Sequence, residues 1–445
     1  MCCVYESMDT ATQSTTRSPD DRRDAVQHLL RITQDGAYRS LIDRGARPRV
    51  VAFVSTVTRW RRYLFFLLHF FLKDKSQPLS QPLEQLLLLG IAEIVLLNEP
   101  PHAVVNETVN LARSMRLSTG LTNGVLRSVV RSRTTLPEPN TGNSVRDLAI
   151  RWSHPTWLTR RYVKRFGLDE TTRLLQRNNE APIYGIRVNQ THMSAAQLLD
   201  ELSTQGIAAD PSPFLKDYLT TTSLGPLIRK GYMSSGVCSV HDESAGFVVA
   251  LLDPKPNEII LDACSAPGGK ALAAACRMRG SGQLHAWDIH PNRLLKVDEL
   301  AHVQRLDNIH TRVVDLMDPP EMHADRVLLD VPCAGTGVMN KRADLRWRRR
   351  DTDLMDLTKL QQRLLDAAIT CVRPGGLLVY STCSIEPEEN ELQVDSFLER
   401  HPNFTLERVG DLLPAELVTP TGYMATLPHR HGVDGAFAAR LRKSR

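Results

Sequence analysis

A chain of 445 residues is longer than one hydrophobic core usually organises, so about two to four domains are expected. An apolar fraction of 42% and a charged fraction of 24% are those of a globular protein and exclude a fibrous or low-complexity chain. The net charge of +5 is uneven: residues 1–135 hold 18 Lys/Arg against 12 Asp/Glu and the rest is near neutral, which suits a polyanion partner at the N-terminal end.

Taken in chain order, residues 1–19 are polar, lack the apolar run of a signal peptide, and read as a disordered lead-in. Residues 20–135 carry helix-period apolar patterning in AVQHLLRI, VVAFVSTVTRWRRYLFFLLHFFL and LEQLLLLGIAEIVLL, which predicts an all-α domain. The run LFFLLHFFL is far shorter than the ~20 residues of a membrane span, so a buried helix and no membrane contact are expected. Turn formers in TTLPEPNTGNS mark a linker. Residues 145–235 mix helical segments with the strand-like IYGIRVN and predict a small α+β module.

Over residues 236–445, short apolar runs (EIILDA, QLHAWDI, TRVVDL, DRVLLDV, GGLLVYST) alternate with helical segments. That pattern predicts a doubly wound, Rossmann-like α/β domain with a parallel sheet. Ligands of such sheets sit beyond the carboxyl ends of the strands, so the residues ending each run are the candidates.

The first run leads into Cys264-Ser265-Ala266-Pro267-Gly268-Gly269-Lys270 and then a helix. Glycines at a strand-to-helix turn let backbone approach a ligand at a positive helix end. Neither a P-loop nor a dinucleotide fingerprint is present. The next runs end at Asp288, Asp315 and Asp330, and a carboxylate such as Asp288 can take both hydroxyls of a ribose. Three strand-end acids around a glycine turn fit an adenosine-bearing, positively charged cofactor better than a phosphate.

Two cysteines fall in equivalent places, Cys333 after Asp330 and Cys383 after Thr382, over the same predicted cleft. Carbon 5 of cytosine is a poor nucleophile until something adds to carbon 6, and a thiolate does this well. Asp330 is placed to protonate the ring nitrogen N3, an aid typically worth about 10²–10⁴-fold. Downstream, KRADLRWRRR at 341–350 holds six basic residues around Trp347 and could grip phosphates while the indole stacks on a base. None of the eight cysteines forms a C-x-x-C pair, so reduced thiols, a cytoplasmic location and no metal are expected.

DACSAPGGK, DVPCAGTG and YSTCSIEPEENE, in that order, resemble the cofactor loop, Pro-Cys motif and Thr-Cys motif of Nol1/Nop2/Sun RNA cytosine-C5 methyltransferases. PPHAVVNETVNLA and GLTNGVLRSVVR resemble an antitermination-factor NusB-type RNA-binding domain, and the combination resembles the bacterial Sun/Fmu type. The resemblance implies S-adenosyl-L-methionine as cofactor, held by Cys264 to Lys270, Asp288, Asp315 and Asp330. It implies Cys383 as the nucleophile, Cys333 as an aid to product release, and a cytosine of 16S rRNA as the target of a monomer. His241 stands where Gln is usual and Ser265 where Ala is commoner, changes expected to leave the chemistry alone. Ser55-Thr56 replaces a usual Tyr-Gly, so a turn there is expected to differ. The alternatives are the same chemistry on tRNA or 23S rRNA, or a non-catalytic RNA-binding ribosome-assembly factor.

Overall fold

The computed structural model describes residues 20–34, 47–76 and 78–445; the lead-in expected at 1–19 lies outside them. The chain forms two compact units, the first reaching Glu180 and taking in the short segment Arg342–Arg348, the second comprising the rest.

The first unit is helical. Its helices are α1 (Asp20–Gln34), α2 (Pro48–Phe71), α3 (Gln81–Val95), α4 (Pro101–Ser114), α5 (Thr119–Arg131), α6 (Ser144–Arg151), α7 (Thr156–Phe166) and α8 (Leu168–Arg177). The LLLLGIAEIV sequence of α3 is apolar on every side, and every residue of it is buried, so α3 is the central helix of this core. A Cβ at Gly90 would come within 3.0 Å of the Leu126 side chain, so the glycine permits the close approach of α5. The single acid inside this run, Glu93, is fully buried and receives a bidentate ion pair from Arg22 at 2.8 and 2.5 Å. Ser55 and Thr56 lie within the unbroken 24-residue α2, so no turn exists there. The Ser55 hydroxyl bonds back to the Val51 carbonyl, which lets a serine sit mid-helix.

The second unit opens with a four-stranded antiparallel sheet in the order β2-β3-β1-β4. Its strands are β1 (Tyr184–Val188), β2 (Asp210–Pro211), β3 (Tyr218–Thr221) and β4 (Cys238–Val240), with α9 (Ala195–Thr204) and α10 (Gly225–Arg229) between them. The larger domain then begins with α11 (Glu243–Leu252), β5 (Ile259–Asp262), α12 (Gly269–Arg277), β6 (Gln283–Asp288), α13 (Pro291–Gln304), β7 (Ile309–Val313) and β8 (Ala324–Asp330). After α14 (Leu345–Arg348) of the first unit come α15 (Asp351–Ala368), β9 (Val372–Thr382), α16 (Glu391–Arg400), β10 (Phe404–Glu407), β11 (Met424–Thr426), α17 (Pro428–His431) and β12 (Ala436–Lys443).

The eight-stranded sheet runs β10-β12-β9-β8-β5-β6-β7, with β11 also paired to β12. The parallel sheet expected from sequence holds from β7 through β9. Beyond β9 the last strands add in antiparallel fashion, because the chain returns from α16 through β10 and β11 without a crossover helix between each pair. Adjacent residues feed opposite faces: Ile260 and Leu328 pack with Leu272 and Leu284 in one layer, Leu261 and Leu329 with Leu365 and Phe397 in the other. Strand order reverses at β5, with β6 on one side and β8 on the other, which opens a cleft at their carboxyl ends.

Candidate active site

β5 ends at Asp262 and the chain turns through the Cys264–Gly268 loop into α12. The Ser265 amide donates to the Trp287 carbonyl at 2.8 Å, and the Ala266 amide donates to Asp288 Oδ2 at 3.1 Å. These bonds tie the loop to the end of β6; the Ala266–Pro267 peptide is cis. Gly268 adopts φ +96°, a region L side chains rarely enter, and a Cβ there would also press on Val297 at 3.0 Å. The other Asp288 oxygen accepts from the His290 amide at 2.9 Å. Asp288 is therefore a buried, fixed carboxylate at the strand end. Asp315 is exposed two residues past β7, its Oδ1 accepting from the Met317 amide at 2.9 Å.

Asp330 at the end of β8 receives the Lys270 ammonium at 2.6 Å on Oδ2 and the Ser381 hydroxyl at 2.7 Å on Oδ1. Burial works against the Lys270 charge, but Asp330, Cys383 and Asp262 hold its pKa above the ordinary value. Past Asp330, Cys333 Sγ lies 3.3 Å from Cys383 Sγ. Its contact with Cys383 and its burial push the Cys333 thiol well up, so Cys333 keeps its proton. The Pro-Cys loop is pinned from below: buried Glu389 accepts the Ala334 amide at 2.8 Å, and Arg349 donates to the Cys333 and Ala334 carbonyls. Thr382, buried beside the second cysteine, donates to Asn390 Oδ1 at 2.6 Å. Burial raises the Cys264 thiol. The residues singled out from sequence, Cys264 to Lys270, Asp288, Asp330, Cys333 and Cys383, thus gather at the carboxyl ends of four neighbouring strands.

Sequence reasoning missed Asp262. Both its carboxylate oxygens are buried, with the Ser265 hydroxyl and the Cys264 amide close by but no hydrogen bond of good geometry, and burial, with the charge of Asp330, raises its pKa to about 7. An orphaned carboxylate beside the glycine turn suits a cofactor carrying positive charge, so these residues fit a sulfonium donor. The basic stretch at 341–350 also differs from expectation. Arg346 is fully buried in the first unit, donating to the Ser153 and Asn178 carbonyls and to Asn179 Oδ1, and the Trp347 indole donates to the Thr58 carbonyl at 2.7 Å. In the second unit Lys341 is held by Asp242 and Asp434. These side chains are structural anchors, because their charges found internal acceptors that the local sequence does not reveal.

In the helical unit a groove of about 410 Å³ runs between α4 and α5, lined in part by His102, Asn106, Asn123, Arg127 and Arg131. Residues 101–133 carry five arginines and one acid, Glu107, which pairs with Arg22. Arg127 and Arg131 stand in the lining of the groove and no acid does, so it is electropositive.

The family model described as 16S rRNA methyltransferase RsmB/F matches residues 249–442, the ferredoxin-like domain of RsmF/B-like methyltransferases matches 154–226, and the NusB family matches 7–131. Ribosomal RNA small subunit methyltransferase B of Yersinia pseudotuberculosis serotype O:1b (strain IP 31758) is 36% identical over 368 residues, covering 80% of this chain and 81% of that protein. The chain belongs to the ribosomal RNA small subunit methyltransferase B family. The protein named "Probable ribosomal RNA small subunit methyltransferase B" in Bacillus subtilis (strain 168) is 29% identical and covers 94% of this chain and 98% of its own length. The solved structure of PH0851 shares the fold across 97% of this chain and all of its own, with a TM-score of 0.78 at 24% identity. Membership makes the cofactor S-adenosylmethionine and the sheet unit a methyltransferase domain. No described helix is long and apolar enough to cross a membrane.

Proposed function

We propose that this methyltransferase modifies carbon 5 of a cytosine in 16S rRNA through a covalent bond between Cys383 and carbon 6. The observation that carries this reading is the 3.3 Å contact of two thiols at the ends of adjacent strands, one kept neutral and the other beside the Lys270–Asp330 pair. S-Adenosylmethionine, when bound by the glycine turn, Asp288 and Asp262, supplies an electrophilic methyl group.

The residues divide the remaining work. Cys383 attacks carbon 6, its negative charge favoured by the Lys270 ammonium and by the Cys333 thiol proton. Asp330, fixed by Ser381 and Lys270, is the group assigned to ring atom N3, and the positive charge of the paired ammonium offsets negative charge developing on the ring. After transfer the carbon 5 proton passes to a solvent base, its bonding pair restores the carbon 5–carbon 6 double bond, and Cys383 leaves as thiolate. The Cys333 thiol, 3.3 Å from that sulfur, is the group placed to assist the release by hydrogen-bonding to the departing charge. The groove between α4 and α5 offers arginines for phosphates and supports rRNA docking on the NusB-type unit.

Bisulfite sequencing of unmodified 16S rRNA after incubation with protein and S-adenosylmethionine tests the assignment. One cytosine protected from deamination is expected. Incorporated methyl with every cytosine still converted would place the methyl on another atom and overturn it.

A further inference from the structure

His241, between β4 and α11, is 8% exposed and packs beneath the cofactor loop. Its Nδ1 lies 2.6 Å from the Tyr218 hydroxyl. Burial pushes the Tyr218 phenol far up, so the tyrosine stays protonated and has an O–H to offer Nδ1. Burial, with Arg187 and Lys270 nearby, takes the imidazole down to about 3, so the ring is neutral, and a Tyr218 hydroxyl donating to Nδ1 leaves its one proton on Nε2. That Nε2 is buried and has no hydrogen-bond partner. Leaving a buried polar atom unpaired is unfavourable, so such a group beside a candidate cofactor loop is placed to meet a ligand.

The position of the ring says which acceptor. The Cδ2–Nε2 edge lies against Gly269, where an added Cβ would stand 2.8 Å from Cδ2 and 3.2 Å from Nε2. Gly269 is the first residue of the nine-residue α12, whose N-cap Gly268 supplies no side-chain cap, so the first amides of the helix point out unpaired. Helix-end amides and an imidazole N–H converging on one spot select an anion. S-Adenosylmethionine carries one, the carboxylate of its amino-acid end.

We propose that His241 Nε2–H donates a hydrogen bond to the carboxylate of S-adenosylmethionine at the N-terminus of α12, and so selects for the amino-acid portion of the cofactor. The glutamine usual at this position has an amide N–H and could serve the same acceptor. His241 is thus a cofactor-binding residue in this chain and not a neutral replacement.

Calorimetry on the full chain with two ligands tests the inference, which rests on the S-adenosylmethionine assignment. S-Adenosylhomocysteine carries the carboxylate; 5′-methylthioadenosine lacks the whole amino-acid end. His241→Phe, which keeps ring volume and removes the donor, should weaken S-adenosylhomocysteine about tenfold or more and leave methylthioadenosine within about twofold. His241→Gln should recover most of the loss. Equal weakening of both ligands, or of neither, would overturn the proposal in favour of simple packing. Should the Phe variant not fold, nitrogen-15 histidine spectra of the native chain decide: the Nε2 proton should move downfield with S-adenosylhomocysteine and stay put with methylthioadenosine, and an unmoved signal in both overturns it. Native protein binding neither ligand would remove the cofactor assignment and this inference together, whereas normal binding without His241 dependence removes this inference alone.

Discussion

In the helical unit two buried charges are met from within: Glu93 is held by Arg22, and the terminal nitrogens of Arg346 donate to two carbonyls and an amide oxygen. At the carboxyl ends of the sheet strands the opposite holds. Asp262 and His241 are as deeply buried, yet the Asp262 oxygens and His241 Nε2 have no partner. The first pattern stabilises a scaffold, since removing one member of a buried pair costs far more than the pair gains. The second fits a place where a ligand supplies the missing partner. Comparing the two regions separates residues that hold the fold from residues that wait for the cofactor.

The largest effect that sharpens this comparison is in the scaffold. Glu93→Ala leaves Arg22 buried beside only the half-exposed Glu107, and should cost about 3–5 kcal/mol in denaturant unfolding of the helical unit. A loss below about 1 kcal/mol would show that water already screens the pair.

Asp262 should behave in the reverse sense. Its folded-state pKa of about 7 lies above the ordinary 3.8, so stability from its protonated form is complete below about pH 4 and is lost as pH rises through 7. Asp262→Asn should therefore stabilise the ligand-free protein by about 2–4 kcal/mol at pH 8 and scarcely at pH 4. The same change should weaken binding of the cationic cofactor. Calorimetry of native protein in buffers of different ionisation enthalpy should show proton release on S-adenosylmethionine binding near pH 6.5. Unfolding curves of Asp262→Asn that parallel the native protein from pH 4 to 8 would remove Asp262 from the site.

The smallest effect concerns the groove of the helical unit. Arg131→Gln should weaken rRNA binding by about 1 kcal/mol or less and reduce the slope of log affinity against log salt by about one, as expected for one phosphate contact. An unchanged slope would move the RNA to another face.

Much of the sheet unit was legible because candidate residues and secondary structure share a signal there: a strand run ending in Asp288 or Asp330, or leading into Cys333 or Cys383, marks both the element and its carboxyl end. What stayed hidden depends on partners distant in sequence. Nothing around Arg346 or Lys341 tells that their charges are spent on Ser153, Asn178, Asp242 and Asp434, so a basic run read as a phosphate grip. Asp262 ends its run beside a more visible motif, and only its unpartnered oxygens single it out. The Tyr218 partner of His241 Nδ1 comes from another strand and leaves no local trace in the sequence. The antiparallel edge formed by β10, β11 and β12 was likewise a matter of pairing, not periodicity.

The central claim, that Cys383 attacks and Cys333 releases, is tested most directly by denaturing gel electrophoresis of the two alanine variants with labelled 16S rRNA and S-adenosylmethionine. Cys333→Ala should methylate and then stall, giving a slow-migrating protein–RNA band; Cys383→Ala and the double variant should give neither band nor methylation. A band in Cys383→Ala and none in Cys333→Ala would contradict the account and exchange the roles of the two thiols.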